Sequence, residues 1–125
     1  MLFFDLFRHD PNLVTVAQDA HLFEEGEAGS DMFVLLSGHA AVVRGGVEIE
    51  RLAPGDIVGE VALLGVAPRL ATVRAVTECV FATVDEARFR FLVEEAPYFA
   101  LEVMRVMARR LGESNARMIP ATTAA

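Results

Sequence analysis

The chain has 125 residues, of which 54% are apolar and 23% charged, a balance that suits one compact domain and argues against a disordered chain. Its net charge is −7, from 18 acids against 11 bases, which argues against a basic face for nucleic acid or anionic membrane. Every base is arginine, so Schiff-base lysine chemistry and a lysine-bearing phosphate loop are excluded.

In chain order, a short apolar segment within Met1 to Asp10 reads as a helical lead-in, too short and too acidic for a signal peptide. No apolar run approaches the ~18 residues of a membrane span, so the default compartment is the cytoplasm. From about Asn12 to Val84 the pattern is of short strands between turn signals. Leu13–Ala17 alternates, and His21–Phe23 precedes an acidic turn over Glu24–Asp31. Met32–Leu36 is a fully apolar strand, and Ser37-Gly38 turns into His39–Arg44. Gly45-Gly46 supplies the positive φ of a tight hairpin. Val47–Leu52 then alternates with one apolar and one charged face, and Ala53-Pro54-Gly55-Asp56 is a further turn. Arg69–Val76 and Cys79–Val84 complete the strands. Such spacing predicts a small barrel or sandwich.

After Asp85 the period lengthens. Asp85 is placed to N-cap a helix over Glu86–Glu95, and Pro97 starts a second helix that reaches Leu111 or beyond. The expected domain is residues 1–118, with the roll at about 12–84 and the helices at about 85–118. The tail over 119–125 has nothing to bury and is expected to fray. Cys79, the lone cysteine, sits in an apolar run and reads as a core thiol.

One stretch, Gly55 to Val73, looks unlike scaffold. A Gly59-Glu60 pair opens a short apolar helical turn, and Pro68-Arg69 leads into a strand. The turn offers unpaired backbone N–H groups, glycine permits close approach, and Arg69 is a permanently charged fork for phosphate oxygens. Glu60 beside a phosphate makes sense if the ligand also carries sugar hydroxyls.

This stretch resembles the phosphate-binding cassette of cyclic nucleotide-binding domains, as in bacterial catabolite activator proteins, protein kinase A regulatory subunits and cyclic-nucleotide-gated channels. The family pattern Gly-Glu-x-Ala-Leu, four residues, Pro-Arg-x-Ala-Thr/Ser is filled by Gly59, Glu60, Ala62, Leu63, Pro68, Arg69, Ala71 and Thr72. The likeness runs over roughly residues 12 to 112. It implies a mostly β fold: an eight-stranded β-roll of the double-stranded β-helix or jelly-roll type, a cassette helix and two C-terminal α-helices.

The resemblance also implies roles. Glu60 and the backbone of Gly59 would hold the ribose 2′-OH, Arg69 the exocyclic phosphate oxygens, and the amides of Ala62, Leu70 and Ala71 the rest of the cradle. Val61 joins the candidate ligand set, as does Thr72, whose plainer reading is a β-former. The base would pack on apolar strand residues under the last helix, where Arg110 is the candidate lid residue, or else a cation at a helix C-terminus. Leu70 stands where cGMP-selective members usually place Thr, so cAMP is favoured over cGMP. The expected function is a cAMP sensor that signals by moving its last helix. The alternative is a degenerate β-roll serving as an interaction or dimerisation scaffold.

The remaining expectations are negative or open. No nucleophile–base pair occurs, so the chain is not expected to be an enzyme. His9, His21 and His39 lack metal-site spacing, so no metal and no cofactor is expected. About seven residues follow Met118, too few for a helix-turn-helix, so no nucleic acid is expected as a partner. A membrane is not expected either, and the effector is not identified. Leu101, Met104, Ala108, Leu111, Asn115 and Met118 form a short heptad seam. That seam serves either a homodimer or packing on the chain's own domain.

Overall fold

A computed structural model describes residues 2–65 and 68–118, with the side chains of Arg117 and Met118 left out. The expected tail over 119–125 lies outside the described residues, as do Val66 and Ala67 of the cassette. Helix α1 (Leu2–Phe7) leads into eight strands: β1 (Leu13–Val16), β2 (His21–Phe23), β3 (Met32–Ser37), β4 (Ala40–Arg44), β5 (Val47–Leu52), β6 (Ile57–Val58), β7 (Thr72–Ala75) and β8 (Cys79–Val84). A 3₁₀ helix over Glu60–Leu64 lies between β6 and β7, and α2 (Glu86–Glu95) and α3 (Pro97–Met118) close the chain. The strands form two antiparallel sheets, ordered β1-β8-β3-β6 and β2-β7-β4-β5.

The two-residue period of a strand explains where the cores sit. On β3, Phe33 and Leu35 face inward between the sheets while Met32 and Val34 face outward; on β8, Phe81 faces in while Ala82 and Val84 face out. The inward set joins Phe23, Leu52 and Val73 in the roll interior. The outward set is roofed by Phe3 and Phe7 of α1 and by Phe99 and Val103 of α3. The fully apolar Met32–Leu36 run therefore reflects a strand covered on both faces.

Local signals act as expected at the helix starts. Asp85 Oδ1 accepts the Arg88 N–H at 2.8 Å, capping α2, and Pro97 begins α3. Cys79 is fully buried with its Sγ 3.2 Å from the His39 carbonyl oxygen, and burial pushes the thiol up from its ordinary value.

Two boundaries differ from expectation. Ile57–Val58 is a strand that no periodic pattern announces, because two residues carry no period. The strand expected from Arg69 begins only at Thr72, since the Arg69 backbone pairs with the acidic turn instead of the sheet. The Arg69 N–H donates to the Glu27 carbonyl at 2.9 Å, and the Gly26 N–H donates to the Arg69 carbonyl at 2.8 Å.

Candidate functional site

A cavity of about 660 Å³ opens between the second sheet, the cassette and the last turns of α3. Gly59, Glu60, Val61, Ala62, Arg69, Leu70, Ala71 and Arg110 all line it. Its apolar wall comes from Phe23, Val42, Ile49, Val73, Met107 and Leu111. Thr72 is not brought to the cavity: its Oγ1 accepts the Glu25 N–H at 2.9 Å and so ties the acidic turn to β7.

Arg69 is only 7% exposed. Its guanidinium carbon lies 4.2 Å from the centre of the Phe23 ring, and Nη1 donates to the Asp31 carbonyl at 2.8 Å. No carboxylate among the described residues pairs with it, and its buried Nε has no hydrogen-bond partner. Burial lowers its pKa, opposed by the negative charges of Asp31 and Glu27. An arginine nonetheless stays charged in a protein, so this is a fixed cation in a dry setting. A buried polar group left unmatched costs about 1–3 kcal/mol, a cost that an incoming acceptor would remove.

Two glycines make room for this cation. At Gly59 the φ is +78°, and a Cβ would meet Arg69 Nη1 at 2.7 Å and the Asp31 carbonyl oxygen at 2.8 Å. At Gly29 a Cβ would meet Arg69 Nε at 2.6 Å. Sequence reasoning assigned Gly29 to a turn and gave it no part in the site; only the fold across the roll brings it onto the guanidinium.

Arg110 has the opposite surroundings. Its Nη1 donates to Glu60 Oε1 at 2.6 Å, its Nε to Glu50 Oε1 at 3.0 Å, and its Nη2 to Glu50 Oε2 at 3.2 Å and to the Ile57 carbonyl at 2.6 Å. Burial pulls its pKa down, but Glu60 and Glu50 outweigh that and hold it above the ordinary arginine value. Glu60 is 5% exposed, and Arg110 is the cation that compensates it. Glu50 was not anticipated as part of the site. The register of β5 against β4 slips between Val42 and Val43, so Val42 faces Glu50 while Val43 faces Glu48. That bulge disturbs the alternation from which a solvent-facing Glu50 would be expected.

Elsewhere, no group of three or more His, Cys, Asp or Glu among the described residues is placed to hold a metal. No described helix is long and apolar enough to cross a membrane.

A buried arginine without an acidic partner among the described residues and a buried glutamate held by a second arginine therefore line one largely apolar cavity, the arrangement of a small-molecule binding domain. The family model described as "Cyclic nucleotide-binding domain" matches residues 13–96, and the chain belongs to that family. It is similar to a "CRP-like cAMP-activated global transcriptional regulator" of Mycobacterium tuberculosis, at 26% identity over 99 residues, covering 75% of this chain and 44% of the relative. Among solved structures it resembles the Thermus thermophilus catabolite activator protein, with a TM-score of 0.77 and 25% identity over 86% of this chain and 53% of that one. A second structure, described as "A cyclic-GMP-dependent signalling pathway regulates bacterial phytopathogenesis", aligns with a TM-score of 0.72 and 27% identity over 88% of this chain and 89% of that one. The chain spans less than half the length of the transcriptional regulator it matches. The eight-stranded roll with C-terminal helices is thus the family fold.

Proposed function

We propose that this chain is a cyclic nucleotide sensor that prefers cAMP to cGMP, acting in the cytoplasm as a binding module and not as a catalyst. One observation carries the reading: the Arg69 guanidinium is buried against the cavity, has no acidic partner among the described residues and keeps an unmatched Nε. A cyclic phosphate supplies the missing negative charge and acceptors. Glu60, with Oε1 on Arg110, has Oε2 to accept from a ribose 2′-OH. The base lies on the apolar wall near Met107 and Leu111, with Arg110 at the α3 side. Leu70 lines the cavity and offers no hydroxyl to a guanine amino group, which is the ground for preferring adenine. Ligand binding signals by shifting α3, because Arg110 on that helix and Glu60 in the cassette share one contact.

Titration calorimetry with cAMP, cGMP and 5′-AMP tests this. The expected result is micromolar cAMP binding, weaker cGMP binding, and a loss of about 2–5 kcal/mol of cAMP binding energy in Arg69→Ala. Absence of heat with every nucleotide overturns the sensor reading in favour of a scaffold.

The heptad seam supports a homodimer as the partner of α3. Ala108 and Leu111 of the seam line the cavity and Phe99, Val103, Val106 and Met107 face the chain's own core, but Leu101, Met104 and Asn115 are exposed and stand clear of both. A helix that spent its seam on its own domain would not leave these residues bare. Sedimentation equilibrium is expected to find a dimer that Met104→Glu, a change at an exposed seam residue off the cavity, converts to monomer. A wild-type chain that stays monomeric at high micromolar concentration removes this proposal.

A further inference from the structure

Glu50 stands outside the cassette, and its side chain is 19% exposed at the edge of the cavity. It grips Arg110 with both oxygens, Oε1 at 3.0 Å from Nε and Oε2 at 3.2 Å from Nη2, a parallel fork. It also accepts from Arg109 Nη2 at 3.3 Å, so two successive cations of α3 converge on one strand residue. Glu60, by contrast, holds Arg110 through a single bond. The two carboxylates therefore play unequal parts. A sugar hydroxyl competes for Glu60, whereas nothing in a nucleotide's phosphate or ribose needs Glu50.

We infer that Glu50 is a positioning residue: its two-pronged pair with Arg110 holds the C-terminal half of α3 at the cavity before any ligand reaches Glu60. This rests on the reading of Glu60 as the sugar acceptor. Two-point, charge-assisted pairs between half-buried groups are stronger and better oriented than surface ion pairs. One guanidinium thus has a ligand-independent anchor on β5 and a ligand-sensitive one in the cassette. Ligand binding adjusts a helix that is already docked; it does not gather a helix from solvent. In population terms, Glu50 raises the fraction of chains whose α3 is in the binding-competent place, and so lowers the penalty on apparent affinity.

Amide hydrogen exchange on the intact chain tests this without nucleotide. Glu50→Gln is expected to speed exchange over residues 105–116 about tenfold, and Glu60→Gln about twofold or less, because local opening follows the anchor that is lost. The double variant Glu50→Gln/Arg110→Gln is expected to exchange only slightly faster over that segment than Arg110→Gln alone, since Glu50 acts mainly through Arg110 and keeps besides it one longer bond from the exposed Arg109. Three results each overturn the inference. The segment in Glu50→Gln exchanges at the wild-type rate; or it speeds up no more than residues 32–37 of β3, which marks general destabilisation; or the double variant shows the product of the two single effects. Repeating the exchange with cAMP separates the two readings. If cAMP gives no protection to the wild-type chain while Glu50→Gln still frees α3, the sensor reading falls and the role of Glu50 stands.

Discussion

The two ends of the cavity each hold an arginine, Arg69 buried and Arg110 half-buried, and the two are provisioned in opposite ways. Arg110 is met by two carboxylates and a carbonyl, while Arg69 is met by one carbonyl and two phenyl rings. Protein interiors normally pair a buried charge. The difference lies in neighbours and not in the residue type, and it underlies the separate roles proposed above for the two side chains.

The comparison can be broken first at Gly29. The three atoms nearest its would-be Cβ all belong to the Arg69 guanidinium group, so Gly29→Ala is expected to act on that side chain and to leave the melting temperature within a few degrees of wild type. The displaced guanidinium is expected to weaken cAMP binding about tenfold or more, as one charge-assisted contact is worth about 1.5–3 kcal/mol. Calorimetry beside a thermal melt checks both halves; a large drop in melting temperature with unchanged affinity would reverse the assignment. A smaller effect sharpens the Arg110 end. Glu60→Gln keeps one oxygen as an acceptor for the sugar and keeps the Glu50 fork, so it is expected to weaken cAMP binding about three- to tenfold, less than Arg69→Ala. Equal losses in the two variants would dissolve the distinction between the ends.

Much of this site was legible from residue types in order. Gly59, Glu60, Pro68 and Arg69 lie within one short stretch, so local spacing exposes them, and the glycine–proline punctuation marks a loop built for close approach. Gly29 and Glu50 were not legible, for physical reasons. Gly29 belongs to an acid-rich turn that any reading assigns to a bend; its contact with Arg69 depends on the turn pairing back to the Arg69 backbone across the roll. Glu50 sits on a strand whose alternation predicts a solvated acid, and a bulge opposite Val42 and Val43 undoes that prediction. Thr72 shows the converse: a residue that fits the motif has its hydroxyl engaged by Glu25. In the fold, long alternating or fully apolar strands were legible, whereas Ile57–Val58 was too short to carry a signal.

The first sheet, β1-β8-β3-β6, has no wet side where α1 and α3 cover it, and β3 and β8 serve as the shared wall of two separate apolar fillings. Peeling away the helices would bare Met32, Val34, Ala82 and Val84 on the very strands whose reverse sides carry Phe33, Leu35 and Phe81. The helical layer and the roll are therefore thermodynamically welded at that wall. What freedom α3 has must come from its far end beyond Met107, past the last of its residues packed on that wall.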